Sequence, residues 1–123
     1  MAKAANQVIV GLTIGAVAEA LALARAAGVD PAKVREALLG GFASSRVLEL
    51  HGRRMIEGDF RPGGRATTQR KDLAQALELA GQLGLELPAT ELCLQLYERL
   101  IAQGDGELDH SALIRVLERT ART

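Results

Sequence analysis

An all-α, multi-helix domain organised around one long N-terminal helix is the fold class this sequence predicts. Apolar residues recur at three- and four-residue spacing, as in Leu73, Ala76, Leu77 and Ala80. No stretch alternates with period two for long enough to make a strand. The breaks between apolar stripes carry helix caps and helix stops, such as Asp30-Pro31 and Gly40-Gly41.

The first helix spans Met1 to about Ala27 and stops at Gly28. From Val8 to Ala24 only Thr13 and Glu19 are polar. A helix that is apolar all round is enclosed by other helices or sits in a membrane. Its uncharged run, Ala4 to Ala18, is shorter than the roughly 20 apolar residues that a bilayer requires, so it reads as the central post of a domain. Gly11 and Gly15 form a GxxxG within it, which permits close helix packing. Asp30 as N-cap and Pro31 at the first position start a second helix, about Pro31 to Leu39, with Val34, Leu38 and Ala37 inward. Ser44 or Ser45 caps a third, about Ser45 to Glu57, burying Val47, Leu48 and Met55. Residues 59–66 form a Pro/Gly loop. Thr67 or Thr68 caps a fourth helix that runs to about Gln82. A fifth, about Ala89 to Gln103, turns Leu92, Leu96, Leu100 and Ile101 inward. After Gly104-Asp105-Gly106, Asp109 or His110 opens a last helix to about Thr120, burying Leu113, Val116 and Leu117.

A chain of 123 residues suits one domain, residues 1–123. Aromatics are only 2%, so the core must be aliphatic. Fifteen basic and fifteen acidic residues cancel, which argues against nucleic acid or an anionic membrane as the main partner. A single cysteine, Cys93, and no signal-peptide pattern make a reducing cytoplasm the expected compartment. The helix begins at the first residues without a lead-in, as in a chain cut from something larger.

Lys3, Asn6 and Gln7 share one helix face within about a turn. A cation at a helix start opposes the macrodipole, and desolvation there would lower its pKa and make it a proton donor near neutral pH. A solvated lysine at a frayed end is the plain alternative. Arg65, Arg70 and Lys71 cluster beside a Gly-rich loop and a helix start, an arrangement that can receive a phosphate or carboxylate. A solvated surface is the alternative there. His51 and His110 show no metal-ligand spacing with Cys93 or with carboxylates, and no metal is expected. Cys93, among Leu92, Leu94 and Leu96, reads as a small buried apolar group.

The segment Lys3-Ala4-Ala5-Asn6-Gln7, the Lys71-Asp72-Leu73 triplet and the stretches 40–55 and 106–113 resemble the β-hydroxyacid dehydrogenases. The resemblance is to their C-terminal helical domain, that of 6-phosphogluconate dehydrogenase-like proteins. Within the family, these stretches are most similar to the tartronate semialdehyde reductase branch. The resemblance implies an NAD(P)-dependent enzyme that interconverts tartronate semialdehyde and D-glycerate, or acts on another short hydroxyacid such as 3-hydroxyisobutyrate. It implies that Lys3 is the catalytic lysine, that Asn6 and Gln7 hold the substrate, and that Lys71 contacts the NAD or NADP. It also implies a homodimer or homotetramer through the helices. The family's Rossmann domain is absent from this chain, so the isolated chain is expected to be inactive. A helical oligomerisation module without catalysis is the alternative.

Overall fold

The computed structural model describes residues 1–120. Six α-helices follow one another: α1 Ala2–Ala26, α2 Pro31–Leu38, α3 Arg46–Glu57, α4 Ala66–Gln82, α5 Pro88–Leu100 and α6 Ile114–Glu118. A π-helical turn, Ile101–Asp105, continues α5, and a 3₁₀ turn, His110–Leu113, leads into α6. Among the described residues the only β-type pairing is an isolated bridge between Arg65 and Asp109.

α1 is the axis, and every other α-helix packs against it. Ile14, Ala18 and Leu21 meet Leu48 and Met55 of α3, Leu73 of α4, Tyr97 and Leu100 of α5, and Leu113, Ile114 and Val116 near the end of the chain. Each Leu, Ile, Val or Met side chain among them stabilises the fold by about 1.5–3 kcal/mol when fully buried. An 18-residue window of α1 has mean hydropathy 1.9, enough by length and composition for a membrane span, yet its inner face is the core of this domain. Enclosure on all sides is corrected: Ile9 is 66% and Leu23 72% exposed. With Ala2, Ala5, Ala16 and Ala20, also exposed, they form an apolar stripe opposite the core face.

Close packing depends on Gly11. A Cβ there would lie 2.8 Å from Gln69 Nε2 and 3.1 Å from Leu73 Cδ2, so any larger residue would push these two side chains aside. At Gly15 the Cys93 sulfur would sit 3.6 Å from an added Cβ.

Local chemistry sets several helix starts. Asp30 accepts from the Ala32 amide at 3.0 Å, and Ser45 from the Leu48 amide at 2.9 Å. α4 departs from the expected cap. It begins at Ala66, with no side-chain cap from Thr67 or Thr68. Its Ala66 and Thr67 amides donate instead to the carbonyls of Leu108 and Gly106, at 2.8 and 3.1 Å. A distant segment therefore satisfies the amides that a capping side chain ordinarily takes.

α5 turns inward a face that matches the expected one only in part: Leu100 is buried and Leu96 packs against the core, but Leu92 does not. Thr90, Cys93, Tyr97 and Leu100 are buried, while Leu92 is 64% exposed. The two stripes differ by one residue, and the contact with Gly15 selects the one that carries Cys93. α5 ends at Leu100 rather than Gln103, and Gly104, at φ 93°, kinks the turn that follows. The last helix is also shorter: Asp109 caps the 3₁₀ turn by accepting from the Ser111 amide at 3.0 Å. In α2, Val34 and Leu38 are half-buried and Ala37 is exposed.

Candidate functional site

The start of α1 lies beside the start of α4. Gln7 Nε2 donates to Asp72 Oδ2 at 2.7 Å, and Gln69 Nε2 donates to the Gln7 carbonyl at 3.2 Å. Asn6 Nδ2 donates to Gln7 Oε1 at 2.9 Å. Two polar segments more than sixty residues apart in sequence thus meet at one end of the domain. Gln7 is half-buried, whereas Lys3, Asn6 and Lys71 are exposed. Among the described residues none buries Lys3.

The basic cluster expected at the start of α4 is largely neutralised. Arg65 Nε lies 3.2 Å from Glu107 and Arg70 lies 3.3 Å from Glu98. The first amides of α4 are occupied by the 106–108 backbone, so they do not form an open anion cradle. Among the described residues Lys71 is left as the unpaired cation of that group.

Behind this surface sits a polar centre that the sequence did not reveal. Asp109 is fully buried. Its Oδ1 accepts from the Gly63 and Gly64 amides, both at 3.0 Å, and lies 3.1 Å from the Arg54 guanidinium. Its Oδ2 accepts from the Ser111 amide and hydroxyl. Burial alone would push this carboxyl up. The Ser111 hydroxyl and the amides of Gly64, Ser111 and Gly63 outweigh burial and hold it down at about 2. Arg54 also donates to the Asp59 and Arg61 carbonyls, which ties the 59–64 loop to the same carboxylate.

His51 and His110 meet edge to face beside it, with ring centroids 4.7 Å apart. His51 Nδ1 lies 3.7 Å from Asp109 Oδ2. His110 Nδ1 is 3.0 Å from Gln69 Oε1. The chain spacing of His51 and Asp109 gave no sign of this proximity. One donor atom each from His51, Asp109 and His110 falls within 4.8 Å of the others. Both Asp109 oxygens are already committed to protein donors, and a guanidinium faces one of them. That donor set does not favour a cation.

Burial lowers the pKa of both histidines, that of His110 to about 4, although Asp109 opposes the shift. The unfolded chain therefore binds these protons more readily than the folded one. The stabilisation from neutral His110 is complete above the ordinary value of 6.5 and is lost as pH falls from there toward 4. The expected loss is on the order of 3 kcal/mol from this group. Urea unfolding at pH 7.5 and 4.5 checks it. His110→Asn, which does not titrate, should flatten the difference, and an unchanged pH dependence would exclude His110 as its source.

Cys93 donates to the Gly11 carbonyl at 3.4 Å, and burial pushes its thiol up to about 11, so it is not poised as a nucleophile.

Residues 1–117 match a family model described as the NAD-binding unit of NADP-dependent 3-hydroxyisobutyrate dehydrogenase. The chain belongs to the 3-hydroxyisobutyrate dehydrogenase family. It is 53% identical over 119 residues to 2-hydroxy-3-oxopropionate reductase of Escherichia coli, covering 97% of this chain and 41% of that one. It is 40% identical over 118 residues to a probable mitochondrial 3-hydroxyisobutyrate dehydrogenase-like protein of Arabidopsis thaliana, covering 96% of this chain and 35% of that one. Among solved structures it resembles 3-hydroxyisobutyrate dehydrogenase from Salmonella typhimurium, with TM-score 0.90 and 28% identity over 94% of this chain and 40% of that one. The chain thus spans about two fifths of the length of these relatives.

The family match corrects the expected fold class. The sequence suggested an all-α domain like the C-terminal domain of 6-phosphogluconate dehydrogenase-like proteins. The matched unit is instead described as NAD-binding. Helical periodicity records which faces are buried, and it carries no information about the cofactor a domain serves. The family relationship supports NAD or NADP as the cofactor.

Proposed function

We propose that this chain is one domain of a longer NAD(P)-dependent reductase that interconverts tartronate semialdehyde and D-glycerate. The rest of that enzyme would carry the dinucleotide glycine loop. The observation that carries the proposal is the Gln7–Asp72 hydrogen bond, which sets the Lys3-Asn6-Gln7 segment beside Lys71. The 53% identity to a 2-hydroxy-3-oxopropionate reductase supports the substrate.

The nicotinamide, when bound, supplies or receives the hydride. Lys3 is the general acid: its Nζ gives a proton to the aldehyde oxygen as the carbonyl carbon is reduced, and takes it back in the oxidation direction. Its exposure in this chain fits a group that becomes desolvated only when the cleft is completed by the rest of the enzyme and substrate. Asn6 and Gln7 bind the substrate's hydroxyl and carboxylate. Gln7 is held in place by Asp72, and Asn6 by Gln7. Lys71, an exposed cation whose basic neighbours are ion-paired, contacts the anionic cofactor.

The test is a steady-state assay of the full-length protein on tartronate semialdehyde and methylmalonate semialdehyde, each with NADH and NADPH. A higher kcat/KM on tartronate semialdehyde is expected. A preference for methylmalonate semialdehyde would move the enzyme to the 3-hydroxyisobutyrate reading, and no turnover on either would favour a non-catalytic helical module.

We also propose that two or more copies associate through the helices. The exposed stripe Ile9, Ala16, Ala20 and Leu23 of α1 is apolar and smooth enough to pack against another helix. Light scattering on the purified chain should report a dimer or larger. A stable monomer would contradict this use of α1.

A further inference from the structure

A file of hydrogen bonds runs from the His51–His110 pair to the first turns of α1. The backbone carbonyl of Gln7 can only accept, so Gln69 must turn its Nε2 toward it, at 3.2 Å. Gln69 Oε1 then faces His110, and the ring must place its proton on Nδ1 to donate across 3.0 Å. Gln69 is 2% exposed, so no water is at hand to replace a lost partner. Its Nε2 fills the space that a side chain on Gly11 would need, 2.8 Å from where an added Cβ would lie.

We propose that His110 and Gln69 are positioning residues for the Lys3 site. The Nδ1 proton of His110 orients the Gln69 carboxamide, and that carboxamide fixes the Gln7 carbonyl one helical turn from Lys3. The inference rests on the reading of Lys3 as the general acid. With the proton on Nε2 instead, Nδ1 would oppose Gln69 Oε1. The carboxamide would flip to relieve that opposition and would set an oxygen against the Gln7 carbonyl. The two bonds therefore stand or fall together. The Gln7 side chain adds a second anchor through Asp72, so the same residue is gripped at its backbone and at its amide. A displacement of about 1 Å at a reacting group can cost on the order of a hundredfold in rate.

The experiment uses the full-length enzyme and four variants: His110→Leu, Gln69→Glu, His110→Asn and Lys3→Ala. His110→Leu removes the donor. Gln69→Glu keeps an acceptor for His110 and turns a carboxylate oxygen on the Gln7 carbonyl; it serves as the second probe where the leucine variant folds poorly. In both, amide hydrogen exchange over residues 5–11 should rise about tenfold. Both should lose kcat by roughly tenfold or more, with KM within about threefold. His110→Asn, whose amide nitrogen can take the Nδ1 position, should restore both readouts. Exchange and kcat near wild type in His110→Leu and Gln69→Glu, beside an inactive Lys3→Ala, would overturn the positioning role while leaving Lys3 in place. A fully active Lys3→Ala would remove the proposal from below, and that result at residue 3 separates it from the first failure.

Discussion

Lys3→Ala in the full-length enzyme should lower kcat by roughly 10²–10⁴-fold, the range that a positioned general acid contributes. The stability of the fold should barely move. Lys3 is exposed, and a cation in the first turn of α1 faces the positive end of the helix. Its removal belongs with surface substitutions, within about 0.5 kcal/mol. Lys3→Arg separates proton transfer from simple charge. Arginine keeps the cation but does not give up its proton in this pH range, so it should rescue binding and not turnover. Activity of Lys3→Ala within a few-fold of wild type would exclude Lys3 as the acid. Thermal melts run beside the kinetics would show whether any loss came from unfolding.

Asp109→Asn should be the most damaging near-isosteric change in the domain. Two backbone amides and the Arg54 guanidinium converge on one carboxylate oxygen, and the amide and hydroxyl of Ser111 on the other. An asparagine offers one oxygen, and its NH₂ must then point at groups that also donate. The Arg54 guanidinium, largely buried, loses its counter-charge as well. Breaking a buried pair by removing one partner costs about 3–5 kcal/mol. Typical domains have only about 5–15 kcal/mol in total, so the variant should be poorly folded or shifted to a far lower urea midpoint. The 59–64 loop should be the first region to open, because Arg54 and Asp109 hold it together. A loss below about 1 kcal/mol would mean that the Asp109 network contributes little to the fold.

Much of the helix layout was legible in the residues because its causes are local. Asp30-Pro31 and Ser45 supply their own caps, and those helices start where the caps predict. The stripe of α4 was legible for the same reason: Leu73, Ala76 and Ala80 are buried. The phase of α5 was not. Leu92 and Cys93 both fit a 3.6-residue stripe, and only the neighbouring glycine face of α1 decides between them. The start of α4 was placed close to its true position but for the wrong cause, since its amides are satisfied by a segment some forty residues away. The basic cluster is reduced to Lys71 because Glu107 and Glu98, which pair with Arg65 and Arg70, are distant in sequence. The histidines looked unconnected because nothing along the chain brings residue 51 near residue 110.

The residues by themselves determined where this chain is helical, that its core is mostly aliphatic, though Tyr97 and Phe60 are buried in it, and that Lys3-Ala4-Ala5-Asn6-Gln7 and Lys71-Asp72-Leu73 mark it as a relative of the hydroxyacid dehydrogenases. Those properties depend on neighbours within a turn or two, or on residue identity alone. Only the tertiary structure decided that Gln7 meets Asp72, that Asp109 gathers Arg54 and the 63–64 amides, and that His110 reaches α1 through Gln69. Hydrogen bonds of that kind need donor and acceptor within about 3 Å, and chain distances of forty to sixty-five residues do not encode that closeness until the helices have packed.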